Sequence, residues 1–279
     1  MESLNYGFVV KALIAGLILG PLLGALGTLV VVKRLAFFSE AVGHAALTGI
    51  SLGILAGEPY TAPYGGLLAF CLIFGILLNF ARLRTGLASD TLIGVFLALA
   101  LALGASMLLV LAARINIHIL ENVLFGSILT VDNRDLIVLG VVAVLTVGAM
   151  IPTFRGMILA SIDPMLARVR GVAVKPLEYL FIVMVTIVTI AAVKIVGAIL
   201  VGALLVIPAA TARILANSLK GFVAISVALA SIACVAGVLL PIEFALPLPS
   251  GAAIILVAGS FFLLALTLKP LWDRMGKPA

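Results

Sequence analysis

Two residues could do chemistry in this chain: Glu40 and His44, in Ser39-Glu40-Ala41-Val42-Gly43-His44-Ala45-Ala46-Leu47-Thr48-Gly49. On a helix, a spacing of four stacks carboxylate and imidazole on one face, one turn apart. Both are ordinary ligands for zinc, manganese and iron, and a single helix supplies half a site. Neighbouring helices or a symmetric subunit would supply the rest. Proton handling is the alternative chemistry, and a Glu–His hydrogen bond that only ties helices together is the bland one. The pair lies in an apolar run, 35–57, between Lys33-Arg34 and Glu58-Pro59. If that run crosses a membrane, two ionisable groups sit at depth, where they are costly and mark function. Gly43 and Gly49, with Ala41, Ala45 and Ala46, would let other backbones come close.

Composition places the run in a membrane. The chain has 279 residues, of which 65% are hydrophobic and 10% charged, against about 25% charged in a soluble domain. Too few polar residues are present to cover a globule. Apolar runs of about 20 residues call for helices, whereas a barrel would show alternating segments of about 10. The expected fold class is an all-α polytopic membrane protein, a single transmembrane domain over 1–279. The formal net charge of +6 falls in short loops, where it orients the chain, and implies no nucleic-acid partner; the partner surface is a lipid bilayer. Cys71 and Cys234 lie in apolar runs and read as buried structural thiols. The first hydrophobic stretch is too long for a cleavable signal.

Spans are expected at about 8–32, 35–57, 62–80, 90–113, 136–151 (stopping at Pro152), 176–192, 222–240 and 252–268. Lys194 marks a break before a shorter apolar helix at 196–212, which Pro208 would break or kink. Gly16, Gly20, Gly24 and Gly27 form a small-residue packing face on the first span. Residues 114–135 read as a short interfacial or partly inserted helix in which His118 and Glu121 are solvated or mark a point of ion access. Ser89 or Asp90 would cap the fourth span; Glu2, Glu58 and Glu243 read as loop charges. Positive-inside counting puts Lys33/Arg34, Arg82/Arg84, the 153–175 insert, Arg213/Lys220 and the C-terminal tail in the cytoplasm, with Arg114 and Arg134 as exceptions. Eight or nine crossings follow, depending on 196–212, and nine put the N-terminus outside.

The insert carries a compact helix at about 161–172: Asp163 as N-cap, Pro164 at N1, Arg168 on its surface and Gly171 past its end. Such a helix suits docking into a soluble partner's groove, and equally an ordinary amphipathic loop. The chain lacks G-x-x-x-x-G-K-[ST], so energy must come from another subunit or an ion gradient. It also lacks H-E-x-x-H, which speaks against an intramembrane metalloenzyme. A gradient-driven secondary transporter would want matching halves, and no convincing internal repeat is present.

In order, these features resemble the permease subunit of bacterial zinc/manganese, and sometimes iron, ABC importers. The family pattern Ser-Asp-x-x-x-His-Ala-x-x-x-Gly is similar to Ser39 through Gly49. Asp90-Thr91-Leu92-Ile93-Gly94, Leu124-Phe125-Gly126-Ser127-Ile128-Leu129, Asp163-Pro164 through Gly171, and Val196-Gly197 through Pro208-Ala209-Ala210-Thr211-Ala212-Arg213 resemble its later blocks. The resemblance implies a homodimer or pseudodimer in the bacterial cytoplasmic (inner) membrane, with cytoplasmic ATP-binding subunits and an extracytoplasmic metal-binding protein. It implies import of a divalent transition metal by alternating access, and no permanently bound cofactor. It carries the metal path over to Glu40 and His44, and the coupling helix to Asp163, Pro164, Arg168 and Gly171. Two departures stand out: Glu40 replaces the commoner Asp, and Pro247 stands where many members are acidic.

Overall fold

The structure, a computed structural model, describes residues 7–59, 64–112, 128, 131–244 and 248–275. Among them are ten α-helices and no strand. They are α1 (Gly7–Val32), α2 (Phe38–Leu55), α3 (Tyr64–Thr85), α4 (Ser89–Ala112), α5 (Asn133–Ile162), α6 (Pro164–Val169), α7 (Val174–Val196), α8 (Ala198–Leu215), α9 (Leu219–Glu243) and α10 (Ser250–Met275). All but α6 and α8 are long and apolar enough to cross a membrane, which makes eight; α8 carries a shorter apolar stretch, Leu200–Leu215. The helical membrane architecture expected from composition is present. His118, Glu121, Glu2 and Pro247 lie outside the described residues.

Four local readings need correction. The span expected to stop at Pro152 continues as α5 to Ile162. Proline removes one backbone hydrogen bond, and the Thr153 hydroxyl donates to the Ala149 carbonyl at 2.6 Å beside the gap, so apolar helix formers on both sides carry the helix through. Pro208 likewise lies inside α8 without breaking it, so of the two expected effects the break does not occur. The break expected at Lys194 falls at Gly197, whose φ of 85° suits glycine; Lys194 stays helical, its ammonium over the Tyr64 ring at 4.4 Å. Finally, α4 begins at Ser89, so Asp90 sits in the first turn and the Leu92 N–H donates to the Ala88 carbonyl.

The chain forms two compact units. The first comprises residues 1–31, 127–143 and 203–279. Here the α1 glycines face α9 as a packing seam. A Cβ on Gly20 would lie 2.7 Å from Ser231 Cα, and one on Gly24 would lie 2.8 Å from the Ser226 carbonyl oxygen. The Ser226 hydroxyl donates to the Gly24 carbonyl at 2.7 Å. Among apolar helices in lipid, such close backbone packing and interhelical hydrogen bonds replace the hydrophobic drive. Gly24→Ala is expected to cost about 1–3 kcal/mol, because the atoms it meets are backbone and cannot yield. Gly140→Ala, with nothing within 4 Å, should be neutral or mildly stabilising. Thermal unfolding of the two purified variants in detergent checks the contrast.

The second unit comprises residues 32–126 and 144–202. In it α2 packs against α3, α4 and α7, and α3 against α7. Phe74 packs against the Phe70 and Phe96 rings. By contrast, α4 and α5 show large apolar side chains outward, including Leu99, Val144, Leu145 and Ile151, as lipid-facing helices do.

Candidate functional site

The site is built from the back of α2. Gly49 and Gly53 lie against α3: a Cβ on Gly49 would sit 3.0 Å from the Gly66 carbonyl oxygen, and one on Gly66 would sit 2.6 Å from Gly49 O. Val42 belongs to the same face, its carbonyl 3.8 Å from Cys71 Sγ on α3. Glu58 fixes the far end. Its Oε1 accepts the Gly66 N–H at 2.9 Å, in the first turn of α3 where amides lack helical partners. It is therefore a cap rather than the loop charge expected from sequence. These contacts set the rotation of α2 about its axis.

Gly49 and Glu40 differ by nine residues, about half a turn at roughly 100° per residue, so the face opposite the glycines carries the chemistry. Glu40, His44, Thr48 and Ser51 project within an arc of about 80°, forming a polar stripe on a helix whose one other polar side chain is Ser39. Glu40 and His44 are half-buried, and Thr48 and Ser51 are 2% and 1% exposed. His44 Nδ1, Thr48 Oγ1 and Ser51 Oγ are buried with no hydrogen-bond partner. Two small residues flank the stripe. Gly104 of α4 lies against it, the position of a Cβ there being 3.5 Å from Thr48 Oγ1 and 3.7 Å from the His44 carbonyl oxygen. Gly202 on α8 lies against Glu40, 4.0 Å from its Cβ by the same construction. Glu40 and His44 thus share a face as their spacing predicts. Among the described residues no group of three or more His, Cys, Asp or Glu gathers.

A second charged assembly lies where α2 begins. Glu178, in the first turns of α7, receives Lys33 Nζ on one carboxylate oxygen and Arg82 on the other. Asn79 accepts from Arg82 at 3.0 Å. Glu178 and Lys33 are buried; burial pulls the Lys33 ammonium below the ordinary lysine value, and the Glu178 carboxylate opposes that shift. Between Lys33 and buried Leu35, Arg34 takes a left-handed φ of 55°. Sequence reading passed over Glu178 inside its apolar span. A lone carboxylate just within an apolar helix, facing two basic helix ends, is the signal that could have found it.

The short helix α6 forms as its caps predict. Asp163 Oδ1 accepts the N–H groups of Met165 and Leu166, both at 2.9 Å, with Pro164 at the first helical position. At the other end the Gly171 N–H reaches the Arg168 carbonyl and the Val172 N–H reaches that of Ala167, the paired bonds of a Schellman stop, with Gly171 at φ 76°. Ala167 is buried while Met165, Arg168, Val169 and Arg170 are exposed.

The sequence profile of the ABC 3 transport family matches residues 5–269. The chain belongs to the ABC 3 transport family. The manganese import system permease protein ScaB of Streptococcus parasanguinis is 33% identical over 268 residues, covering 95% of this chain and 92% of the relative. The high-affinity zinc uptake system membrane protein ZnuB of Haemophilus influenzae is 27% identical over 256 residues, covering 91% of this chain and 95% of the relative. Among solved structures, PsaBC from Streptococcus pneumoniae in complex with Fab is similar at a TM-score of 0.79 and 30% identity, over 94% of this chain and 91% of that one. An inward-facing putative metal-chelate type ABC transporter is similar at a TM-score of 0.71, with 92% and 85% covered; at 18% identity this is a likeness of fold. The resemblance read from the ordered motifs holds, and this ABC 3 chain is a multi-pass membrane component of a transporter. As a permease of this family it sets Glu40 and His44 on one helix, and Asp163, Pro164, Arg168 and Gly171 on or beside another.

Proposed function

We propose that this permease belongs to an ATP-driven importer of a divalent transition-metal ion, manganese or zinc, with iron as a third candidate, in a bacterial cytoplasmic membrane. The observation that carries this reading is the Glu40–His44 pair on the polar face of α2, with His44 Nδ1 buried and unpartnered. An ion arriving from an external metal-binding protein exchanges water for the carboxylate and imidazole. Two protein ligands hold it weakly enough to let it go, as conduction requires. The ion is cargo, and relative affinity alone would favour zinc over manganese at most sites, so selection rests on geometry and delivery.

Two copies of the permease would alternate between outward- and inward-open states as separate ATPase subunits bind and hydrolyse nucleotide. The docking element is α6. Its caps make it rigid, and exposed Ile162, Met165 and Val169 with Arg168 and Arg170 form an apolar knob with a basic rim, a shape suited to a groove with an acidic edge. The test is manganese and zinc uptake into proteoliposomes holding the permease with its ATPase. Uptake is expected to require ATP, and uptake driven by an ion gradient without the ATPase would overturn the reading. Arg168→Glu should weaken co-purification of the ATPase by about tenfold by turning a rim attraction into repulsion. Undiminished co-purification would remove α6 from the interface.

A further inference from the structure

Hydroxyl groups on these helices usually satisfy themselves by donating back to the carbonyl one turn earlier. Ser106, Thr153, Ser161, Thr211, Ser231 and Thr267 all do so. On α2 the habit fails: Ser39 Oγ, Thr48 Oγ1 and Ser51 Oγ are buried without a hydrogen-bond partner, Ser39 beside Gly202 and off the polar stripe, Thr48 and Ser51 on it. The unpartnered hydroxyls of Thr186 and Thr189 lie on α7, where Thr186 Oγ1 faces Gly75 of α3. A buried hydroxyl without a partner is costly, so a polar visitor belongs beside it. Thr48 Oγ1 faces the Gly104 side of α4, one turn along the stripe from His44, and Ser51 continues the same line about 16 Å from Glu40 at 1.5 Å per residue.

We infer that Thr48 and Ser51 are oxygen donors to the travelling ion, extending the path along α2 beyond His44 and biasing it toward the harder, oxygen-preferring cation. The inference rests on the metal-path reading of Glu40 and His44. Neither hydroxyl replaces a carboxylate as a charged ligand. Each holds the partly hydrated ion directly or through one of its waters while the imidazole and Glu40 exchange in. Manganese suits oxygen and water ligands whereas imidazole nitrogen suits zinc, so losing hydroxyls should cost manganese more than zinc.

The experiment measures uptake of manganese(II) and zinc(II), each alone and in competition, by the full permease assembled with its partner subunits. Thr48→Val, nearly the same shape, is expected to lower manganese uptake about tenfold, the effect of one hydrogen bond to a charged partner. Zinc should fall less, so that the manganese-to-zinc ratio drops. Thr48→Ser should restore the ratio, which a purely structural threonine would not predict. Ser51→Ala, a one-atom deletion, should move the ratio the same way and decides the matter if Thr48→Val lowers the amount of folded protein. Wild-type manganese uptake and an unchanged ratio in both Thr48→Val and Ser51→Ala, with His44→Ala inactive, overturns the hydroxyl path alone. Wild-type uptake in His44→Ala overturns the reading beneath it.

Discussion

His44→Ala and Glu40→Gln are each expected to reduce manganese and zinc uptake by about a hundredfold or more. Loss of a group that only supports a metal ligand costs about 10–100-fold, and in the proposed path these residues are the ligands themselves. The transporter should still fold and assemble. Because His44 Nδ1 has no partner within the protein, its removal strands no donor or acceptor. Glu40 lies beside a glycine at 202, and glutamine occupies the same space without the charge. Amounts of permease and ATPase co-purifying from the membrane would separate this outcome from misfolding. Glu40→Asp draws the carboxylate back by one methylene, to the residue commoner at this place in the family pattern. It should keep most activity if the ion is met mid-path by mobile water. Undiminished uptake in both His44→Ala and Glu40→Gln would remove the pair from the path.

Which parts of this arrangement can be seen in sequence follows from how local their causes are. The α6 caps need only Asp163, Pro164 and Gly171 at fixed offsets, and the structure forms every bond they imply. The α1 glycine face is a periodicity, and its partner surface on α9 is where such a seam must find backbone. The shared face of Glu40 and His44 follows from spacing four. Its direction does not, because it is set by Gly49, Gly53 and Gly66 packing across two helices. Pro152 misleads for the opposite reason. A proline punctuates a helix whose neighbours are indifferent, whereas here apolar helix formers flank it and one lost backbone bond is outweighed. Glu58 and Glu178 were hidden by distance along the chain: Glu58 meets an amide 8 residues away and Glu178 a lysine 145 away. Nothing local marks Glu58 as more than a loop charge, and the place of Glu178 just inside an apolar span is the one local hint of its role.

That distance gives Glu178 the largest expected effect on stability. Its carboxylate is the common acceptor for buried Lys33 and half-buried Arg82. Removing one partner of a buried ion pair costs about 3–5 kcal/mol, because a charge is left uncompensated. Glu178→Gln leaves two cations facing each other and should fall at the upper end. Lys33→Met and Arg82→Met each leave one cation with the carboxylate, so both should cost less, Arg82 least because it is more exposed. The order Glu178 > Lys33 > Arg82 in loss of melting temperature is what the shared carboxylate predicts, and three equal losses would mean independent packing effects. The triple change Lys33→Met, Arg82→Met and Glu178→Met removes every charge and should recover most of the loss, since apolar replacement of a whole buried network is often neutral or better. The consequence reaches the candidate site. Lys33 lies in the turn that starts α2 and Glu178 in the helix that follows α6, so the three charges fix the near end of the helix bearing Glu40 and His44 against the one nearest the proposed docking element.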